Sequence, residues 1–257
     1  MPRVSLTLAL GLASIRLGID IGGSGVKYAL VDTDKGNLVS DRQRIETPDP
    51  ATPDAVTEVV AEVISSTNAD GPIGVGFPAV VWAGDVFSAN NIDNAWIGRN
   101  ARDEFARASG SEIVLLNDAD AAGIAESRFG AAQGVDGLAL IITFGTGIGS
   151  GAIFRGELVP NFELGVIELD GHYPAELHFS AKVRKREDLS WEAWGGRANR
   201  FLSHVNGVLN PELMVFGGGV TKHWEEFSVF IDDDLPVVPA SMGNNAGLIG
   251  AAVAASS

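Results

Sequence analysis

VLLNDADAAGIAE, residues Val114–Glu126, carries an apolar run directly into an Asn-Asp pair and then into small residues. Ile113–Leu116 reads as a buried strand, and the residues from Asp118 to Glu126 read as the first turns of a helix. A buried strand of an α/β sheet delivers the polar side chains at its C-terminal end into a crevice. Asn117 has an amide able to hold a substrate hydroxyl, and Asp118 has a carboxylate able to take its proton. The stretch predicts an α/β fold with a ligand cleft and Asp118 as the general base.

Two glycine-rich segments support a cleft that takes phosphate. LGIDIGGSGVKYALVD (Leu17–Asp32) and ALIITFGTGIGSGAIF (Ala139–Phe154) share one plan: apolar strand, glycine turn, apolar strand. Glycine lets backbone approach a ligand closely, and successive N–H groups form an anion-binding nest. Gly22, Gly23, Ser24 and Lys27 are the candidates in the first turn, and Gly145, Thr146, Gly147 and Gly149 in the second. Asp20, at the end of the first strand, suits a magnesium ion held through water. The spacing matches neither a Walker loop nor a dinucleotide fingerprint, because no helix follows the turn. Repetition of the plan implies two related lobes with a ligand between them.

Composition narrows the partners. A net charge of −15 over 257 residues argues against nucleic acid or an anionic membrane. A polyanionic substrate would then need a local basic patch. Lys182, Arg184, Lys185 and Arg186 supply one, followed by Trp191, Trp194, Arg197 and Arg200. The chain has no cysteine, which excludes a disulfide framework and a thiolate zinc site. The apolar run Val4–Ile15 is short for a membrane span and lacks a clear cleavage site, so a cytoplasmic protein is expected.

The expected organisation is an extension over 1–16, a first lobe over 17–117 and a second over 118–257. The first lobe has a third strand over Leu38–Ile45, a helix from Asp54 and a strand over Ile73–Phe77. A β excursion over Val80–Asn91 and a helix over Asn100–Ser109 complete it. Asn91, Asp93 and Trp96 are candidates to line the cleft, or else belong to a surface loop. The second lobe has strands at Leu138–Thr143, Gly151–Phe154, Leu213–Phe216 and Leu235–Val238. Ser190 caps a helix running to about Leu209, before Pro211. Asn245–Ala255 is a helix of small residues suited to tight packing, and it can fold back on the first lobe. In Phe162–Gly171, the carboxylates Glu163, Glu168 and Asp170 either accept hydrogen bonds from sugar hydroxyls or face solvent.

Taken in order, these segments resemble the ROK sugar-kinase family, within the two-lobed actin-like, hexokinase-type (ribonuclease H-like) fold. The residues that carry the likeness are Asp20-x-Gly22-Gly23-Ser24-x-x-Lys27, Asn117-Asp118, Phe144–Gly149, Glu163-Leu164-Gly165 and Gly217-Gly218-Gly219. Phe77–Val81, Val183–Trp191 and Ser203-His204-Val205 look like the branch of the family that uses polyphosphate. The resemblance implies a glucokinase acting on the 6-hydroxyl of glucose, with polyphosphate or ATP as donor and Mg2+ as cofactor. It implies Asp118 as base, with Asn117, Glu163, Glu168, Asn91 and Pro78 around the sugar. Gly218 would join the phosphate contacts, and Lys182–Arg186 would form the polyphosphate track. It also implies a homodimer and, in the polyphosphate branch, no zinc. Mannose or another hexose is the alternative acceptor. One departure matters: the family's histidine after Glu-x-Gly is Val166 here. A valine neither donates nor accepts a hydrogen bond, so weakened or altered sugar binding is expected, and a sugar-binding protein without turnover stays open.

Overall fold

The computed structural model describes residues 15–67 and 69–256, so the apolar run Val4–Ile15 lies outside the described residues except for Ile15. The chain builds two sheets on one plan. In the first, β1 (Ile15–Gly22) and β2 (Gly25–Asp32) form an antiparallel hairpin around the first glycine turn. β3 (Asn37–Leu38) and β4 (Gln43–Ile45) pair with the outer edge of β2. The single strand expected over Leu38–Ile45 is thus two short ones. Between them Ser40 Oγ accepts the Leu30 N–H at 3.0 Å, in place of a ladder bond.

α1 (Pro53–Ser66) starts one residue earlier than expected, capped by Thr52 and with proline at its first position. β5 (Ile73–Phe77) runs parallel to β1. β6 (Val81–Trp82) and β7 (Asp85–Val86) make the expected β excursion, a small separate hairpin. α2 (Ala101–Ser109), capped by Asn100, leads into β8 (Ile113–Asn117), which is parallel to β5. α3 (Asp118–Phe129) follows without a gap. Two cleft candidates turn out to be scaffold. Trp96 is fully buried between Phe77 and Phe105 and donates to Ala51 O, while Asp93 caps a short turn at Ala95 N.

The second half repeats the order. β9 (Leu138–Phe144) and β10 (Ile148–Phe154) are the antiparallel hairpin around the second glycine turn, and β11 (Glu157–Val159) extends it. β10 begins at Ile148, so Gly149 belongs to the strand rather than to the turn. Three helices follow: α4 (Glu176–Phe179), α5 (Ala181–Arg186) and α6 (Trp191–Leu209). Ser190 caps α6 as expected, and left-handed Asn210 ends it before Pro211. β12 (Leu213–Gly217) is parallel to β9, α7 (Trp224–Phe227) covers it, and β13 (Val237–Pro239) closes the sheet. α8 (Ala246–Ala254) ends the described chain. The main strand orders are β3-β2-β1-β5-β8 and β11-β10-β9-β12-β13, the same hairpin followed by two parallel strands.

α3 and α8 lie between the sheets. α8 packs on β1 and β5, α3 on β9 and β10, and the two helices pack on each other. Small residues make this possible. A side chain at Gly74 would strike the Ala251 backbone, and one at Gly250 would strike Ala121 O. The AGLIGAAVAA helix therefore approaches the sheet nearly backbone to backbone, as its composition suggested. Outside this layer each lobe has its own core. Leu17, Ile19, Val60, Phe77 and Phe105 fill the first, and Phe144, Trp194, Phe201, Phe216 and Phe227 fill the second. Among the described residues no helix is long and apolar enough to cross a membrane.

Candidate active site

The end of β8 becomes the start of α3 at Asn117-Asp118, and this junction faces a cleft of about 310 Å³. Asn117 is the N-cap of α3. Its Oδ1 accepts from Ala119 N at 2.8 Å and Asp120 N at 3.1 Å, and its amide donates to Ala79 O at 3.1 Å. Only one amide hydrogen is left for a substrate hydroxyl. Asp118 holds Ala119 N through Oδ1 at 2.8 Å and faces the cleft.

Both glycine turns reach the same cleft. Gly22 and Gly23 line it from the first hairpin, and Gly145, Thr146 and Gly147 from the second. Asn91 lies near both: a side chain on Gly23 would come within 3.4 Å of Asn91 O, and one on Gly147 within 3.6 Å of its Nδ2. The Gly145 N–H is already bonded to Gly147 O at 2.9 Å, which removes it as a phosphate donor. Lys27, Pro78, Gly149, Gly218 and Asp20 also line the cleft. Ser24 does not; it is exposed at the turn tip.

Glu163 enters from the loop after β11, where its neighbours are pinned. Ser150 Oγ donates to Phe162 O and accepts from Leu164 N at 2.8 Å. Asp120 Oδ2 accepts from Asn161 N at 2.8 Å. Asn161 in turn exchanges two side-chain hydrogen bonds with the backbone of Val81, in the other lobe. Glu168, by contrast, is exposed and outside the cleft lining, because the short turn at Leu164–Val166 carries the chain away. Asp170 is exposed and paired with Arg200. Val166 sits half-buried in that turn and does not line the cleft.

Glu176, which the sequence reading missed, lines the cleft instead. It stands on α4, and its Oε2 accepts from Ile148 N at 3.0 Å, just under Gly147. No local pattern marks it; only the packing of α4 against α6 brings it there. Ser88, Asn90, Asn244 and Gly247 are further lining residues without a sequence signal.

The electrostatics are those of crowded acids. Removal from water, and then the charge of Asp20, push the Asp118 carboxyl up to about 7; Glu163 and Asp120 add to this against the Ala119 N–H. The Glu163 carboxyl is also pushed up to about 7, by burial and then by Asp120 and Glu176. Burial raises Asp120 to about 6 against its bond from Asn161, and its Oδ1 is buried without a partner. The cations near this group are few. Lys27 pairs with Asp20 Oδ2 at 2.9 Å. Asp20 Oδ1 faces the space left by the missing side chain of Gly247. A single carboxylate with one oxygen uncommitted suits a magnesium ion bound mainly by water and donor phosphates. Among the described residues no cluster of three or more acidic or histidine ligands would hold a metal alone.

The basic cluster lies on α5, beside the second turn, where Lys182 N donates to Gly145 O at 3.0 Å. None of its four side chains lines the cleft. Arg184 stacks 3.4 Å over the ring of Trp191, and Arg186 bonds Leu177 O and Glu187. Lys182, Lys185 and Arg186 are exposed and Arg184 is half-buried against Trp191, so the four remain a candidate cationic track outside the cleft lining.

A family profile described as ROK family matches residues 16–180. The chain is 43% identical over 238 residues to a polyphosphate glucokinase of Mycobacterium tuberculosis, covering 92% of this chain and 89% of that one. Its fold is similar to that of an inorganic polyphosphate/ATP-glucomannokinase from Arthrobacter sp. strain KM, with a TM-score of 0.89 and 44% identity over 93% and 97% of the two chains. A ROK family glucokinase from Streptomyces griseus, solved with glucose and AMPPNP, aligns with a TM-score of 0.81 at 24% identity over 94% and 99% of the chains, a likeness of fold.

Proposed function

The chain belongs to the ROK family, and from that premise we propose that it moves a phosphoryl group from inorganic polyphosphate to the 6-hydroxyl of glucose. The observation that carries this is one cavity: Asp118 shares it with the tips of both glycine turns. A relative at 43% identity named for the same reaction supports it.

In this reading the lobes divide at Asn117-Asp118, and the sugar sits against that junction. Asp118 takes the hydroxyl proton as the oxygen attacks the terminal phosphorus. Asn117 donates its remaining amide hydrogen, and Glu163 and Glu176 accept from sugar hydroxyls. The N–H groups of Gly22, Gly23, Thr146 and Gly147 hold donor oxygens, and Lys27 adds a charge. Asp20 would hold magnesium through water, and the ion when bound offsets charge on the donor oxygens. Lobe closure excludes water, the competing acceptor. The protein acts in the cytoplasm and as a homodimer.

The test is a coupled assay for glucose 6-phosphate, with glucose and with mannose, each with polyphosphate and with ATP, with and without magnesium. Transfer from polyphosphate to glucose that requires magnesium is expected. Sugar binding without transfer from either donor would favour the second reading, a sugar-binding protein, which Val166 in place of a histidine motivates.

A further inference from the structure

Three residues stand opposite one another across three strands of the first sheet. Asp20 on β1 is the register partner of Lys27 on β2, and Lys27 is the partner of Arg44 on β4. Directly opposed residues project to the same face, so these side chains form one row. The row leads outward from the cleft: Asp20 is buried, Lys27 half-buried and Arg44 exposed. Arg44 lies along the first glycine turn, its Nη2 on Ser24 O. Gly25 is needed for this, because a side chain there would strike the Arg44 guanidinium. The glycine thus makes room for a cation as well as for a ligand.

Arg42, just before β4, donates to Asn245 Oδ1 at 2.9 Å. Asn245 follows Gly243 and Asn244, which line the cleft. Each arginine is tethered to a rim segment through one neutral oxygen, which leaves most of its five donors open. Neither pairs with a carboxylate among the described residues, although Asp41 and Glu46 flank them in sequence. In a chain of net charge −15, two arginines without a carboxylate partner, bonded to the first glycine turn and to the residue after Gly243-Asn244, form a local field of opposite sign just outside the cleft lining.

We infer that Arg44 and Arg42 are an anion-binding rim for an extended phosphoanhydride chain, gripping phosphates beyond those seated between the glycine turns. The inference rests on the reading of the cleft as a phosphoryl-donor site. It places the outgoing chain on the first lobe, where the row runs outward from Asp20 through Lys27 to Arg44, rather than along α5 beside the second turn.

The experiment compares Arg42→Ala/Arg44→Ala with the unaltered protein, and with Arg102→Ala, which removes a charge on α2 outside the cleft lining. Binding of long-chain polyphosphate and of inorganic tripolyphosphate is measured by calorimetry, and glucose phosphorylation is followed in parallel. Loss of two charged contacts should weaken long-chain binding by about tenfold. Tripolyphosphate binding should change less than twofold, since it fills only the turns, and Arg44→Lys should recover part of the loss. Equal losses for both anions would show that the arginines only shape the turn, and no loss, or a loss matched by Arg102→Ala, would also overturn the inference. An unaltered protein that does not bind the long chain overturns it as well. Arginine-dependent binding without phosphoryl transfer would sink the kinase reading and leave the rim standing, whereas transfer indifferent to the arginines would do the reverse.

Discussion

Asn161 and Val81 hold the two lobes together by a reciprocal pair: Val81 N donates to Asn161 Oδ1 at 3.0 Å, and Asn161 Nδ2 donates back to Val81 O at 2.8 Å. Asn161 adopts a positive φ of 59°, which asparagine tolerates better than most residues. Two residues on stands Glu163. Asn161→Ala removes both bonds and leaves two Val81 backbone groups without their partner, at about 1–3 kcal/mol. A lower Tm and a KM for sugar raised several-fold are expected, with donor KM less affected. Steady-state kinetics and a thermal melt check this; an unchanged sugar KM would detach the strap from the acceptor site.

Asp118→Asn keeps the shape and the cap on Ala119 N but removes the base. We expect kcat to fall by about three orders of magnitude or more, within the range general-base removal produces, with an unchanged circular dichroism spectrum. Near-normal turnover would take the role from Asp118.

The acidic limb of kcat/KM should lie near neutrality. Asp118 and Glu163 both sit at about 7, and the base works only when ionised. Activity should rise as pH climbs through that value, as the joint titration of a coupled pair. The stability effect has the opposite sign. Between the ordinary value of 3.8 and about 7 the folded protein keeps a proton on Asp118 that the unfolded chain has lost. The contribution of this group to stability is therefore full below that window and declines as pH rises through it. Glu163→Gln should move the activity limb to lower pH; a limb that stays put would show that the like charge has no hold on Asp118.

Val166→His would put a hydrogen-bonding group on the turn that follows Glu163, where a longer side chain can reach toward the cleft that valine does not line. A lower KM for sugar is expected, with kcat little changed, since added binding shared by ground and transition states acts on KM. A KM that is equal or higher would show that the turn at Leu164–Val166 keeps residue 166 from the sugar.

Gly74→Ala tests the scaffold rather than the chemistry. Its methyl group would collide with the Ala251 backbone, and α8 must shift or the protein loses about 1–3 kcal/mol, the usual cost of overpacking. Chemical denaturation checks this, and an unshifted midpoint would mean that α8 is not seated as described.

Much of this molecule was legible in one dimension. Hairpin, glycine turn and Asn-Asp junction are local patterns: alternation, turn chemistry and a cap act over a few residues, so the sequence by itself determined the repeated lobe plan and the position of Asp118. It also determined that the last helix would pack closely, because glycine and alanine make up most of it and leave little side chain between it and its neighbours. Only the tertiary structure decided which acids face the ligand. Glu163 and Glu168 look alike in sequence, yet one lines the cleft and the other meets solvent, because a single turn separates them. Glu176 and Arg44 enter through α4 and β4, whose places depend on contacts with residues distant in sequence. The surroundings of the cationic cluster belong to the same class: charge can be counted in a sequence, but what a guanidinium packs against cannot, and Arg184 packs against Trp191.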